Sequence, residues 1–161
     1  MFIKTIVGWM FGFNREISQM KKELGHLGVD KAWGLHTKSV LSLVNGSNGD
    51  AEKTVALLSF ESLAKRKKEF GSVEIDNRVK TIFRQPLRTS DIAARWNENE
   101  VIMVLSSNNG GAEIPLKRLA AMAEEQGISF SYVMKAWHSG RNSLAETVRE
   151  LSKIMNKKGE E

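Results

Sequence analysis

The chain has no cysteine, only two prolines, three histidines and one tyrosine among its 161 residues. Without cysteine there is neither a disulfide framework nor a thiolate zinc site, and His26, His36 and His138 fall at no spacing that would seat a metal. The cytosol is the compartment this composition fits best. A long apolar run is also missing. The start, "MFIKTIVGWMFGF", has a weak basic region and an uncharged run of 9 residues, whereas a spanning helix needs about 20 apolar residues. It carries no small-residue cleavage site, so neither a signal peptide nor a transmembrane helix is expected. Trp9, Met10, Phe11 and Phe13 leave a peripheral membrane contact open. Charge of one sign is in modest excess: 24 Lys and Arg against 19 Asp and Glu give +5. That favours anionic partners without naming one. The densest basic run, "KRKK" at 65–68, lacks interleaved aromatics and is expected to be a solvated helix face rather than a nucleic-acid contact.

What is present is an ordinary globular composition, 41% hydrophobic and 27% charged, enough for one domain with a short appendage. The appendage is the N-terminal stretch. Ile3, Ile6, Met10, Phe13, Ile17, Met20, Leu24 and Leu27 alternate spacings of three and four, an a/d heptad series. Residues 1–29 therefore read as an amphipathic helix, either the stalk of a parallel homodimer or a helix packed on its own domain. Gly8 and Gly12 argue against one unbroken rod, since each costs about 1 kcal/mol relative to alanine in a helix interior.

From residue 30 onward, helical and extended patterns alternate. "DKAWGLHTKSVLSLV" (30–44) gives a loop and a helix, and "NGSNGD" (45–50) a turn-rich linker. "TVALLSF" (54–60) is a buried strand, "ESLAKRKKEF" a helix stopped by Gly71, and a second helix is expected from Asp76 to Gln85, closed by Pro86. "RTSDIAARWNENEV" (88–101) then reads as strand 92–96, a turn at Asn97 and Glu98, and strand 99–105, with "VIMVL" apolar enough to place the hairpin inside a sheet. A helix over 115–126, a strand over 128–137 and an amphipathic helix over 143–158 complete the pattern. The fold class this implies is α+β, with about five strands covered by helices.

With these residues in this order, residues 30–161 resemble a GGDEF domain, the diguanylate cyclase fold. "DKAWGLHTKS" resembles DxLTGLxNRR, with Asp30, Gly34 and Leu35 kept and Thr37 and Lys38 in place of Asn and Arg. "LLSFESLAKRKKEFGS" is similar to LLDIDxFKxxNDxYGH, "IDNRV" to GDxxL, "RTSDIAARWNENEV" to RxSDxxxRxGGDEF, and "ISFSYVM" to VTVSIGV. The resemblance implies a palm-like, mostly antiparallel central sheet flanked by helices.

The family joins two GTP molecules into cyclic di-GMP, using divalent metals held by carboxylates. At the matching positions this chain is degenerate. Ser59 stands where the family has its metal-binding aspartate, and the signature reads Asn97, Glu98, Asn99, Glu100 and Val101. Glu98 adds bulk and negative charge where a glycine would admit a polyanion. The family's phosphate-contacting lysine and guanine-contacting asparagine become Ala64 and Lys67, so only Asp76 and Glu100 survive from the nucleotide site. The resemblance thus implies no catalytic residues, no metal and no cofactor.

A second motif keeps its spacing. In active members an RxxD five residues before the signature binds cyclic di-GMP, and Arg88 and Asp91 stand five residues before Asn97. A guanidinium can pair with phosphate or with the O6/N7 edge of guanine, while a carboxylate accepts from guanine N1 and N2. Arg118, with Lys117 beside it, lies near the position of a further arginine that completes the family's pocket. The expected function is a cyclic di-GMP receptor; the alternative is a ligand-independent protein-interaction scaffold. An exposed salt bridge or turn cap between Arg88 and Asp91 remains the plain structural reading.

Overall fold

A computed structural model describes residues 28–45, 52–84, 91–107 and 109–160. The heptad stretch and most of the turn-rich linker lie outside the described residues, as do Arg88 and the expected stop at Pro86.

Among the described residues five helices and four strands follow one another as α1 (Lys38–Asn45), β1 (Lys53–Phe60), α2 (Leu63–Phe70), α3 (Ser72–Ile82), β2 (Ile92–Arg95), β3 (Glu100–Leu105), α4 (Asn109–Glu125), β4 (Phe130–Trp137) and α5 (Leu144–Glu160). The strands form one sheet in the order β2-β3-β1-β4, and every pairing is antiparallel. Four strands stand where about five were expected.

Alternation along the strands assigns each side chain to one of two cores. Ala56, Leu58 and Phe60 of β1, with Val101, Met103 and Leu105 of β3, meet Ile75, Val79 and Ile82 of α3 and Leu116 and Leu119 of α4. The intervening residues Val55, Leu57, Ile102 and Val104 face Val40 and Val44 of α1 and Leu144, Val148 and Leu151 of α5. Burial on both faces is why "VIMVL" carries no polar alternation: β3 is an interior strand.

The other half of the hairpin departs from expectation, because β2 is an edge strand. Its outer border is covered by the loop before α1. His36 N–H donates to Ala93 O at 3.2 Å and Arg95 N–H donates to His36 O at 2.8 Å. That cover satisfies the backbone of an edge strand with no charged residue before Arg95, which explains why IAAR reads as interior.

Two helices begin earlier than the sequence indicates. α3 starts at Ser72, directly after Gly71, whose φ of 91° turns the chain sharply between α2 and α3. A Cβ at Gly71 would meet nothing within 4 Å, so the backbone angle alone calls for glycine. α4 starts at Asn109 and carries Pro115 inside it; proline is favoured at a first helical position, which made Pro115 look like the start.

Candidate functional site

The signature hairpin closes without any residue in the left-handed region. Among the described non-glycine residues only Ser62 has a positive φ, so Asn97 does not adopt the conformation its side chain would tolerate. Instead Asn97 Oδ1 accepts from the Asn99 N–H at 2.9 Å, and Glu100 O accepts from the Trp96 N–H at 2.8 Å. An Asx-type turn replaces the two glycines. Phe60 N–H donates to Asn99 O at 2.8 Å, fastening this tip to the end of β1.

Strand register places three chemically relevant side chains in a row beside the tip. Ser59 pairs with Glu100 on one flank and with Ser131 on the other. A cavity of about 530 Å³ opens there, lined by Ser59, Glu61, Glu100 and Ser131 from the sheet end and by Asn156 and Lys158 from α5. Its carboxylates are engaged: Glu100 accepts from the Asn97 side-chain amide and Glu61 from the Ser131 hydroxyl. A pair of divalent cations needs convergent anionic oxygens. Ser59 contributes a neutral hydroxyl, and no three His, Cys, Asp or Glu side chains among the described residues converge on one point. The residues present do not fit a pair of divalent metals.

A second carboxylate, Asp76, is held on α3, on the other face of the sheet from α5 and away from this cavity. Asp76 Oδ1 accepts the Trp33 Nε1–H at 2.9 Å and lies 3.5 Å from Lys67 Nζ. Trp33, in the turn at 31–33, is 1% exposed. Its backbone N–H donates to Asp30 Oδ2 at 2.9 Å, and Arg95 Nη1 reaches the two Asp30 oxygens at 3.3 and 3.2 Å. The Arg95 guanidinium stands 3.7 Å from the centre of the Trp33 ring, while the Phe60 ring meets it edge-on at 5.7 Å. Asp30, Trp33, Lys67, Asp76 and Arg95 therefore form one connected cluster. Sequence reasoning placed Asp30, Lys67 and Asp76 in motifs without linking them, and it gave Trp33 and Arg95 no role. A large aromatic in a short loop after an aspartate was the available signal.

The basic run at 65–68 behaves as a helix face. Lys65, Arg66 and Lys68 are exposed, Arg66 pairs with Glu69 at 3.4 Å, and Lys67 turns toward Asp76. Glu98 is exposed at the turn.

Asp91 lies at the opposite end of the hairpin from the tip, separated by the four residues of β2, or roughly 13 Å at a rise of about 3.3 Å each. It is 5% exposed, and its Oδ1 accepts both the N–H and the hydroxyl of Ser106, at 3.0 and 3.1 Å. Arg118 is exposed on α4, a helix that packs against α3 and β4.

No protein-family model and no curated protein sequence matches the chain. Solved structures do. The coiled coil and GGDEF domain of DgcB from Caulobacter crescentus, in complex with c-di-GMP, superposes with a TM-score of 0.70 at 11% identity, covering 97% of this chain and 96% of that one. The chain has the GGDEF fold. A microbial GGDEF domain with cyclic di-GMP gives a TM-score of 0.69 at 15% identity over 82% of this chain and 90% of the other. The diguanylate cyclase SiaD from Pseudomonas aeruginosa, in complex with its activator SiaC, gives 0.69 at 18% identity over 92% and 63%. Within the GGDEF fold the cavity at Ser59 and Glu100 lies at the tip of the signature hairpin, and Asp91 marks its base. No described helix is long and apolar enough to cross a membrane.

Proposed function

We propose that this GGDEF-fold chain is catalytically inactive and works by binding. One observation carries the reading: both carboxylates retained from the nucleotide site are engaged by the chain's own side chains, Asp76 by Trp33 and Lys67, and Glu100 by Asn97. Neither is presented as a ligand for a metal or a base, and Ser59 offers no charge to replace them. A cyclase needs all of these groups directed at substrate before chemistry can begin.

The ligand we assign is cyclic di-GMP, bound through Arg88 and Asp91 with help from Arg118. The retained RxxD spacing supports this, as do the cyclic di-GMP complexes of the fold neighbours from Caulobacter crescentus and elsewhere. Occupancy would act by favouring one docking state of two protomers joined through residues 1–29, or of a protein partner, in proportion to its differential affinity for the two states. Location in the cytoplasm, with an optional peripheral membrane contact through the N-terminal aromatics, belongs to the same reading.

A second reading, a ligand-independent scaffold, is favoured by the environment of Asp91. A carboxylate that is buried and already accepts two hydrogen bonds from Ser106 is placed to hold the hairpin together. Isothermal titration of the full chain with cyclic di-GMP separates the two. Micromolar or tighter binding lost in Arg88→Ala supports the receptor; absence of heat at high ligand, together with unchanged thermal stability, supports the scaffold. Incubation with GTP and Mg²⁺ or Mn²⁺, followed by chromatography, tests inactivity, and formation of cyclic di-GMP would overturn it.

A further inference from the structure

Two tryptophans in this chain are equally buried but differently held. Trp137, at the end of β4, is 1% exposed and donates its indole N–H to the backbone carbonyl of Asn142 at 2.9 Å. That is the usual way to satisfy a core tryptophan. Trp33, also 1% exposed, is gripped by side chains of opposite charge. Arg95 covers its ring at 3.7 Å, Asp76 takes its Nε1–H at 2.9 Å, and Phe60 borders it.

This arrangement has the elements by which proteins hold a free nucleobase. A guanidinium stacks on the face of a flat bicyclic ring, and a side chain hydrogen-bonds to a polar atom on its edge. Indole and purine share the fused five- and six-membered outline. The sign of the edge contact selects among bases. An aspartate accepts, so it matches guanine, which offers N–H donors at N1 and N2; adenine presents a bare ring nitrogen there. Lys67 Nζ lies 3.5 Å from the same Asp76 oxygen, so the edge of the pocket carries a second polar group.

The loop delivers the ring in a fixed pose. Gly34 N–H donates to Asp30 O and Asp30 N–H to Leu35 O, both at 2.7 Å. The φ of 73° at Gly34 permits this tight return, and the bridges Val29 to His36 and His36 to Ala94 pin the loop to its surroundings. Trp33 is thus positioned from both sides of its turn rather than left to settle among aliphatic neighbours.

We propose that Trp33 occupies a guanine pocket from within, as a built-in surrogate for the base. The chain closes its own nucleotide site with an indole that reproduces the base's face and edge contacts. This rests on the reading of the chain as catalytically inactive and makes no use of Arg88 or Asp91. It assigns a latent ligand class, guanine nucleosides, to a pocket bounded by Asp76, Arg95 and Phe60 and exposed only when the indole is removed.

The test uses the full chain, Trp33→Ala, and Trp33→Ala combined with Asp76→Ala, melted with guanosine or adenosine. Trp33→Ala is expected to melt lower than the parent and to recover part of that loss in guanosine but not in adenosine. The parent should not respond to either nucleoside, and the added Asp76→Ala should remove the guanosine effect. Equal recovery with both nucleosides, or with neither, would overturn the proposal and leave Trp33 as an ordinary core residue. Should Trp33→Ala fail to fold alone, refolding in guanosine and not in adenosine carries the same weight as the melting shift, and failure in both counts against it. Cyclic di-GMP titration of the parent, where the indole is in place, reports separately on the receptor reading. Cyclic di-GMP formation by the parent from GTP would instead sink the inactive reading on which the pocket rests.

Discussion

Asp91, just before β2, and Ser106, just after β3, are joined by two hydrogen bonds to one carboxylate oxygen. They close the base of the hairpin whose tip is the turn at 97–99. The obvious binding-site substitution is therefore also a structural one. Asp91→Ala should lower stability by about 1–3 kcal/mol, because it removes a buried carboxylate that accepts from both the half-buried N–H and the hydroxyl of Ser106. Chemical denaturation checks this. Ser106→Ala, which removes only the hydroxyl donor, should cost less, about 0.5–1.5 kcal/mol. Loss of ligand binding in Asp91→Ala has meaning only below its shifted melting point, so Arg88→Ala is the cleaner probe.

Arg95 and Asp30 form a half-buried ion pair at 3.2 Å that also covers Trp33. Arg95→Ala is expected to be the more damaging change, by about 1–3 kcal/mol, since it removes the charge partner and the ring contact together. Asp30→Asn keeps the loop's hydrogen-bond acceptor and should cost about 0–1 kcal/mol. A double-mutant cycle in urea measures the coupling. Additive losses would mean that the pair is not linked through the tryptophan.

Lys53, at the start of β1, is 3% exposed, and burial lowers its ammonium pKa below the ordinary value. A lysine depressed in the folded state makes the protein less stable when both states are protonated. The handicap disappears as pH rises past the unfolded value, near 10.4. Lys53→Met should thus gain stability over the parent at pH 7, and the gain should shrink as pH approaches 10. A gap that is constant with pH would show that packing, not charge, governs the site.

The heptad series at residues 1–29 is expected to join two copies. Ile17→Lys with Leu24→Lys puts charge into two seam positions and should convert a dimer to a monomer in sedimentation at micromolar protein. An unchanged mass would assign that stretch to its own domain.

The elements legible in the sequence were those marked by a continuous apolar run or a periodic pattern: β1, the hairpin, β4 and α5 lie within two residues of where apolar runs, alternation and 3.6-residue spacing put them. Boundaries set by a single special residue were misread at Pro115 and after Gly71, because proline and glycine are each compatible with more than one position. The edge status of β2 was hidden, since the group that shields it is the backbone of His36, and a backbone carries no letter of its own. The candidate site was half legible. Motif spacing brought out Ser59, Asp76 and Glu100, but Trp33 meets Asp76 across 43 residues and Arg95 meets Asp30 across 65, and no local pattern announces such a meeting.

Those two separations give the cluster a place in the order of folding. Closing a loop costs entropy that grows with its length, and contacts distant along the chain are rewarded only after that cost is met. The hairpin of β2 and β3 closes over four residues and can form early; the cluster at Trp33 needs the loop before α1, the helix α3 and the last residue of β2 in place together. By this reckoning the corner where Trp33 joins Asp76 and Arg95 is among the last regions to set, and the tryptophan is a late keystone rather than part of the first foundation.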